Sequence, residues 1–384
     1  MPTMVSGASS TATVNTAAHV RDVSERLAEL DPNVAPFTLM LAAARSEVAD
    51  NFKFEWFEKE RAPKYDLVNG AQTAGDTSIE VDNGAYFSVG NIVKNPRTGE
   101  VFRVTGIATN TLTVARGVGS TAAAAMNDND DLFIIGSSHA EGADVPTPKD
   151  HQEVEKYNYT EIFRTALGAT RTQQNTRNYI GKTRTRQRLE KMREHKIDME
   201  SAFLFGERNR DTSTAAAPRN YTGGFTYWAT ENAKDANGTL TEPEIWDWCE
   251  DLFNATASGD TKTLFASPLV VSVIDMLAGA RLQTVPSDKT YGIAVRQLLT
   301  SHGTLLVVKH RLLRNGASGN GYGNMAFAVQ PKELAFRYLA NSNTQLLIDR
   351  QSPGTDGYVD EYLTEAGLEF RLPGVHGILS DVTG

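Results

Sequence analysis

The chain has 384 residues, is 40% hydrophobic and 22% charged, and carries a formal net charge of −9. That length supports two or three hydrophobic cores, and the acid excess excludes a general nucleic-acid coat, so any basic contact must be local. The single cysteine, Cys249, excludes a disulfide framework or a thiolate metal cluster within one chain.

The N-terminus, MPTMVSGASSTATVNT, lacks the basic and apolar regions of a secretory signal. No run approaches the ~18 apolar residues of a membrane span. A soluble chain made in a cytoplasm, without membrane contact, is the expectation. Residues 1–18 are rich in Ser, Thr, Ala and Gly without periodicity, which reads as a flexible arm. Asp22 and Glu25 make a capping-box-like start, and Val23, Leu27 and Leu30 continue a short amphipathic helix stopped by Asp31-Pro32. PFTLMLAAARSEV suggests a second helix or a hydrophobic turn. FKFEWFEKE alternates Phe52, Phe54 and Trp56 with charged residues, the period of a strand.

From about 66 to 140 the texture changes. TSIEV, NIVKN, GEVFRVTGI, TLTVARG and DLFIIG are short β-branched runs separated by the turn signals DNG, NPRTG and ATN, so a small all-β module is predicted. Within it GVGSTAAAAMNDNDD reads as a loop with a helical turn. DVPTPKDH, 144–151, reads as the exit linker.

VEKYNYTEIFRTALGAT is strand-like and feeds a long helix that starts near 171–175 and ends at Gly206, placed as a C′ glycine. Leu189, Met192, Met199 and Phe203 form its apolar stripe. Arg186–Glu190, Lys196–Glu200 and Glu190–Arg193 fall at helical pairing distances along its surface. After a loop-rich stretch, Thr241 and Glu244 form a capping box with Pro243 in the first turn, and Ile245, Trp248, Cys249 and Leu252 line one helical face. TLFAS is a strand, Ser267-Pro268 starts the helix LVVSVIDMLAG closed by Gly279, and GTLLVVKH, NMAFAV and TQLLIDRQ are strands. GLEFRLPGVHGIL reads as one closing strand with a Pro-Gly turn. No repeat is visible.

Chemical motifs are sought and not found. Gly181-Lys182-Thr183 resembles the end of a phosphate loop, but Thr176 stands where a glycine is needed and no strand precedes it. Gly319, Gly321 and Gly323 precede a strand, so no helix N-terminus would face a pyrophosphate, and a surface loop is the plainer reading. The seven histidines form no HExxH or HxH. GxSxG is absent. Asp128, Asp130 and Asp131 lack the glycine and glutamate of a calcium loop and read as solvated charges. Cys249 reads as buried filler. The expectation is therefore no enzyme, with no catalytic, cofactor-binding or metal-binding residue and no cofactor.

One basic block stands out. Arg164, Arg171, Arg177, Lys182, Arg184, Arg186 and Arg188 occur with no acidic residue from 162 to 189. Such spacing can present cations to phosphates. Acidic residues follow at once from Glu190, and Tyr179 alone interleaves as an aromatic for base stacking. A subunit interface or a solvated face competes with DNA contact for Arg171, Arg177, Lys182, Arg184, Arg186 and Arg188.

Taken in order, DVSERLAELDPNVAPFTLML with FKFEWFEKE, a β excursion, EIFRTALGATRTQQ leading to ESAFLFG, a TGGF loop, and DEYLTEAGLEFRLPGVHGIL resemble a known family. The chain is similar to the major capsid proteins of tailed double-stranded-DNA bacteriophages, the Hong Kong 97 capsid fold, and to a subgroup with a β-rich insertion in the extended loop. The resemblance covers about 20–380. It implies an α+β fold with an N-terminal arm at 1–50, an extended loop from 51–65 and 141–165, and an inserted small all-β domain at 66–140. It further implies a peripheral domain with a spine helix at 166–239 and 351–384, and an axial domain at 240–350. It implies self-assembly into pentamers and hexamers of an icosahedral shell enclosing dsDNA, contacted non-specifically. Assembly would occur in the host cytoplasm, with a separate scaffolding protein and with room for a decoration protein. The spine helix would act as a strut. A bacterial nanocompartment shell protein of the same fold, a DNA-binding protein using 164–188, and an unrecognised hydrolase are the competing readings.

Overall fold

A computed structural model describes residues 35–59, 63–146, 148–150, 152–176, 183–255, 257–278, 282–283, 289–290, 293–294, 296–316 and 321–383. The expected arm, the helix from Asp22, Arg177, Gly181, Lys182, Gly279 and Gly319 lie outside the described residues. The described residues fall into two compact units, one drawn from 1–56 and 156–384, the other from 57–155.

In the first unit, the strand Gly357–Phe370 organises a five-stranded sheet. Glu161–Thr170 pairs antiparallel along one edge. Leu334–Leu339 and Gln345–Leu347 pair along the other, and Ser46–Ala49 extends the sheet parallel to Leu334–Leu339. Period-two alternation turns Phe163, Leu167, Tyr358 and Tyr362 inward. Helix α1, Pro36–Ala44, buries Phe37, Met40 and Leu41 in one core with Phe163, while Leu167, Tyr358 and Tyr362 form a smaller cluster. It stops at Arg45, whose backbone is extended, so ARSEV supplies a strand and not more helix.

The basic helix is interrupted. Helix α2, Arg171–Asn175, ends at Thr176, whose ψ of 126° is extended, and α3 runs from Thr183 to Phe205. Met199, Phe203 and Leu204 are buried and Met192 packs partly buried against Leu167, Tyr358 and Tyr362, but Leu189 is 57% exposed, so the apolar stripe has a gap there. Gly206 is not left-handed as expected of a C′ glycine. A Cβ there would lie 2.4 Å from the Ala202 carbonyl oxygen and 2.5 Å from that of Thr222, so close backbone approach demands the glycine.

The second sheet has seven strands in the order Ala233–Gly238, Gly377–Val382, Ala326–Val329, Thr261–Ala266, Thr304–Lys309, Arg296–Leu299 and Leu282–Gln283. The short α4, Phe225–Trp228, sits in the first core. Helix α5, Glu242–Asn254, carries the predicted capping box and packs Trp248, Cys249 and Leu252 with α6, Pro268–Ala278. Leu264 faces this cluster while Phe265 joins Phe37, Phe225, Phe327 and Phe370 on the other side. That explains the unbroken apolar run in TLFA, since both faces of the strand are covered.

Sheet membership departs from the expected division. Leu334–Leu339 and Gln345–Leu347, expected with 240–350, pair with Gly357–Phe370. The single closing strand is two strands, and Gly377–Val382 joins the seven-stranded sheet. The chain changes sheets at two proline-initiated 3-10 turns, Pro331–Glu333 and Pro373–Val375. Proline starts such turns because its φ is pre-set and it has no N–H to lose from a ladder.

The second unit is an antiparallel sheet of six strands in the order Tyr65–Leu67, Asp131–Ser137, Asn91–Lys94, Val101–Ala108, Thr111–Ala115 and Ser78–Glu80. A Val68–Val81 bridge joins its first and last strands and closes it into a small barrel. Ile79, Phe87, Val93, Phe102, Leu112 and Leu132 fill the interior. The loop after Arg116 has no helical turn, because side chains take its backbone groups instead. Arg116 forms a two-armed pair with Glu100 at 2.6 and 2.7 Å and donates to the Ala124 carbonyl at 2.6 Å, while the Ala124 N–H donates to Glu100 at 3.0 Å. Asp130 is not a solvated charge. It accepts two bonds from Arg97 and one each from Asn95 and Asn127, and Arg97 above all pulls its carboxyl down to about 2.

Candidate functional site

The N-terminal half of α3 lies on the strand Gly357–Phe370 through charge. Asp360 is fully buried. Its Oδ2 accepts from Arg184 Nε at 2.8 Å and from Arg188 Nε at 2.9 Å, and its Oδ1 accepts from Arg184 Nη2 and, at 3.1 Å, from the Asp349 N–H. Burial alone would push this carboxyl up, but the two guanidiniums and the amide reverse it and hold it at about 2. Arg184 also donates to Asp349 at 2.9 Å and stacks on Tyr358 with its guanidinium carbon 4.4 Å from the ring centre. Its own pKa is raised, chiefly by Asp360.

The other basic candidates have partners too. Arg186 meets Glu190 at 3.5 Å, Arg171 meets Asp356 at 2.8 Å, and Arg164 pairs with Glu361 at 2.5 and 2.8 Å. Arg177 and Lys182 lie outside the described residues. Each described member of the block therefore spends charge on a carboxylate of its own chain. The first turn of α3 contains no acidic residue, and arginines there oppose the positive end of the helix dipole. Asp349 and Asp360, brought in from the sheet, supply the missing negative charge.

Asp360→Asn should therefore lower stability by ~1–3 kcal/mol, less than a fully buried pair because both guanidiniums reach solvent. The freed arginines should also tighten DNA binding at low salt and steepen its salt dependence. Thermal unfolding and fluorescence anisotropy on a short duplex check both arms. Since the folded carboxyl is depressed from 3.8 to about 2, the wild-type contribution is present above pH 4 and is lost as pH falls through that window.

A second polar node lies deeper and was not foreseen. Helix α1 begins with Pro36, and its N-cap, Ala35, offers no side-chain acceptor. Glu200 of α3 takes that role. Its Oε1 accepts the Phe37 N–H at 2.8 Å, and its Oε2 accepts the Thr38 N–H at 2.6 Å and the Thr38 hydroxyl at 2.5 Å. His310 Nε2 donates to Oε1 at 2.7 Å, while its buried Nδ1 has no partner. That geometry puts the imidazole proton on Nε2. Glu200 is fully buried and does not pair with Lys196 on the helix surface. The signal was present in its spacing, since 200 sits among Met199, Phe203 and Leu204 on the buried side.

A third node, buried Glu369, joins Arg337 and Arg371, and Arg337 reaches Glu47 at 2.6 Å. Four strands of the first sheet, Ser46–Ala49, Leu334–Leu339, Gly357–Phe370 and Glu161–Thr170, are thus cross-tied by ion pairs.

No arrangement of these groups exposes a nucleophile beside a base. Burial pushes the Cys249 thiol up to about 12. Among the described residues no cluster of three or more His, Cys, Asp or Glu side chains could hold a metal, and no helix is long and apolar enough to cross a membrane. The described part of the glycine loop packs on Asn315, where a Cβ at Gly323 would approach the Asn315 side chain to 2.6 Å.

A family model described as the SU10 major capsid protein matches residues 6–383. A major capsid protein of Pseudomonas phage PaMx41 is 28% identical over 324 residues, covering 81% of this chain and 77% of its own. The structure from Gordonia phage Cozz aligns with a TM-score of 0.50 at 11% identity, covering 96% of this chain and 93% of its own. The holo-SrpI encapsulin complex of Synechococcus elongatus PCC 7942 aligns at 0.44 and 10% identity, over 60% of this chain and 78% of that one.

Proposed function

The chain belongs to the SU10 major capsid protein family, and from that premise we propose how this subunit builds its shell. It is a phage major capsid protein of the Hong Kong 97 fold, a structural component of the virion. The subunits form pentamers and hexamers of an icosahedral shell around dsDNA, assembled in the host cytoplasm with a separate scaffolding protein. The match over 6–383 carries this reading, because it takes in both units and nearly all of the chain.

In this reading α3 is the spine helix of the peripheral domain, and the seven-stranded sheet with α5 and α6 is the axial domain. The paired strands Lys53–Glu58 and Val154–Tyr159 are the two sides of the extended loop. The barrel between them is its insertion, and 1–50 is the arm. The arginine–carboxylate network favours the strut role for α3: Arg184 and Arg188, which meet Asp349 and Asp360 within the chain, are not held out for phosphates. Packaged DNA then meets this helix only through residual, non-specific attraction.

Multi-angle light scattering with negative-stain microscopy, with and without a candidate scaffold, tests the proposal. Shells, tubes, or capsomers of five or six subunits are expected. A subunit that stays monomeric and binds DNA with a steep salt dependence would overturn it in favour of the DNA-binding reading.

A further inference from the structure

The barrel formed by 57–155 has an outer surface as well as a core, and one side of it is apolar. Alternation along Asp131–Ser137 turns Leu132 inward and Phe133 and Ile135 outward. Tyr65 lies directly across from Phe133, and their rings stack with centroids 5.6 Å apart at 29°. Tyr65, Phe133 and Ile135 are 51%, 42% and 58% exposed, three large apolar side chains on neighbouring positions of adjacent strands. Isolated exposed hydrophobics need no explanation, but a contiguous aromatic cluster does.

Several charges of the unit are already committed to partners within the chain. Arg97 is committed to Asp130, Arg116 to Glu100, and Lys59 to Asp150 and Glu153. Lys94 stands across from Phe133 on the next strand, and Arg103 one strand beyond, while Asp131 precedes Phe133 by two residues. Among the described residues none of Lys94, Arg103 and Asp131 forms an ion pair within the chain. The face therefore has an aromatic centre, two unspent cations on one side, and an unspent carboxylate on the other.

We propose that this face docks on the same face of a second copy of the chain, about a two-fold axis. A two-fold contact sets residue i against j and j against i, so one patch must complement itself. This one does: rings meet rings at the centre, and Asp131 of each copy meets Lys94 and Arg103 of the other. The apolar centre with a charged rim is the usual anatomy of a protein interface. A polyanion fits poorly, since acidic residues outnumber basic ones nearly two to one in 57–155.

The patch is small against the ~800 Å² per partner of a stable complex, so the contact is weak between free subunits. It forms where a shell holds copies close and raises their effective concentration. In that respect the inference rests on the capsid reading.

Cysteines placed singly by Tyr65→Cys, Phe133→Cys and Ile135→Cys in the full chain test it, because a residue near a two-fold axis meets its own counterpart. The native thiol, Cys249, is fully buried and gives little background. Mild oxidation of assembled particles should give covalent dimers for at least one variant. Lys94→Asp should cut that yield several-fold, and Lys94→Asp combined with Asp131→Lys should restore it. Particles that form but give no covalent dimer with any of the three cysteines would overturn the inference and leave the capsid reading intact. Thiols blocked to both oxidation and maleimide would also overturn it, since a different protein then covers the face. If no particle forms, the shell-building reading fails, and the inference, which rests on it, falls with it.

Discussion

Glu200→Gln lowers the stability of the 1–56/156–384 unit by ~3–5 kcal/mol, the range for removing one partner of a buried charged network. The substitution keeps the size of the side chain and changes one acceptor oxygen into an NH2. Four donors converge on the two carboxylate oxygens: two backbone N–H groups of α1, the Thr38 hydroxyl and His310 Nε2. An amide there sets donors against donors, and at least one buried N–H is left unpaired. No local residue can take over, because Ala35 has no acceptor and Pro36 occupies the first position of α1. The loss should fall on α1 first, with Phe37 and Leu41 leaving the core. Thermal unfolding should show a midpoint lowered by roughly 5–15 °C. Hydrogen exchange should show faster exchange over Pro36–Ala44, while the capped α5 stays protected. An unchanged midpoint with unchanged exchange in α1 would refute the role assigned to Glu200.

The same node shows what the sequence could reveal. Elements whose determinants lie within a turn or two were legible: the alternation in KFEWFE, the Thr241–Glu244 box of α5, and the short β-branched runs of the barrel. Partners across the chain were not. Glu200 and Lys196 have the spacing of a surface pair, and only the uncapped start of α1, more than 160 residues away, shows where the carboxylate goes. The basic block looked unneutralised because its counter-charges lie 165 to 197 residues further on, at Asp349, Asp360 and Glu361. Pro331 and Pro373 were visible as turn residues, but which sheet the chain enters after each is decided by tertiary pairing. The resemblance to phage capsid proteins was legible because it rests on the order of elements, which these long-range pairings preserve.

Lys262→Met should stabilise the protein, although it deletes two hydrogen bonds. Lys262 is fully buried on the strand Thr261–Ala266. Its ammonium donates to the Val375 carbonyl at 2.5 Å and sits 3.4 Å from Gln330 Oε1, and it lies over Phe253. Both acceptors are neutral. The nearby His376 is buried as well. Its Nδ1 accepts the Gln330 N–H at 3.2 Å and its Nε2 faces the Arg371 carbonyl at 3.2 Å, an arrangement that fits only the neutral ring. Burial pushes the Lys262 amine down from 10.5 to about 8. Burial, with Lys262 adding to it, pushes His376 from 6.5 to about 3.

Both shifts act in one direction. The unfolded chain holds the lysine proton up to pH 10.5 and the folded one releases it near 8, so stability rises with pH across that window. Below about pH 8 the full penalty applies, ~3 kcal/mol on the linkage arithmetic. The imidazole adds a second loss as pH falls from 6.5 towards 3. Methionine keeps the apolar stem and removes the charge, at a cost of ~1–2 kcal/mol for the lost bonds. Gln330 Oε1 still accepts the Gly259 N–H at 2.8 Å, which limits that cost. The net gain at pH 7 is then ~1–2 kcal/mol, a rise of a few degrees in the unfolding midpoint. The rise in wild-type stability between pH 8 and 10.5 should vanish in the variant. A variant less stable than wild type at pH 7, together with a flat wild-type profile over that window, would show instead that the ammonium is well compensated. If the prediction holds, the seam between the turn Pro373–Val375 and the seven-stranded sheet is held below its attainable stability by one uncompensated charge, and acid weakens it further.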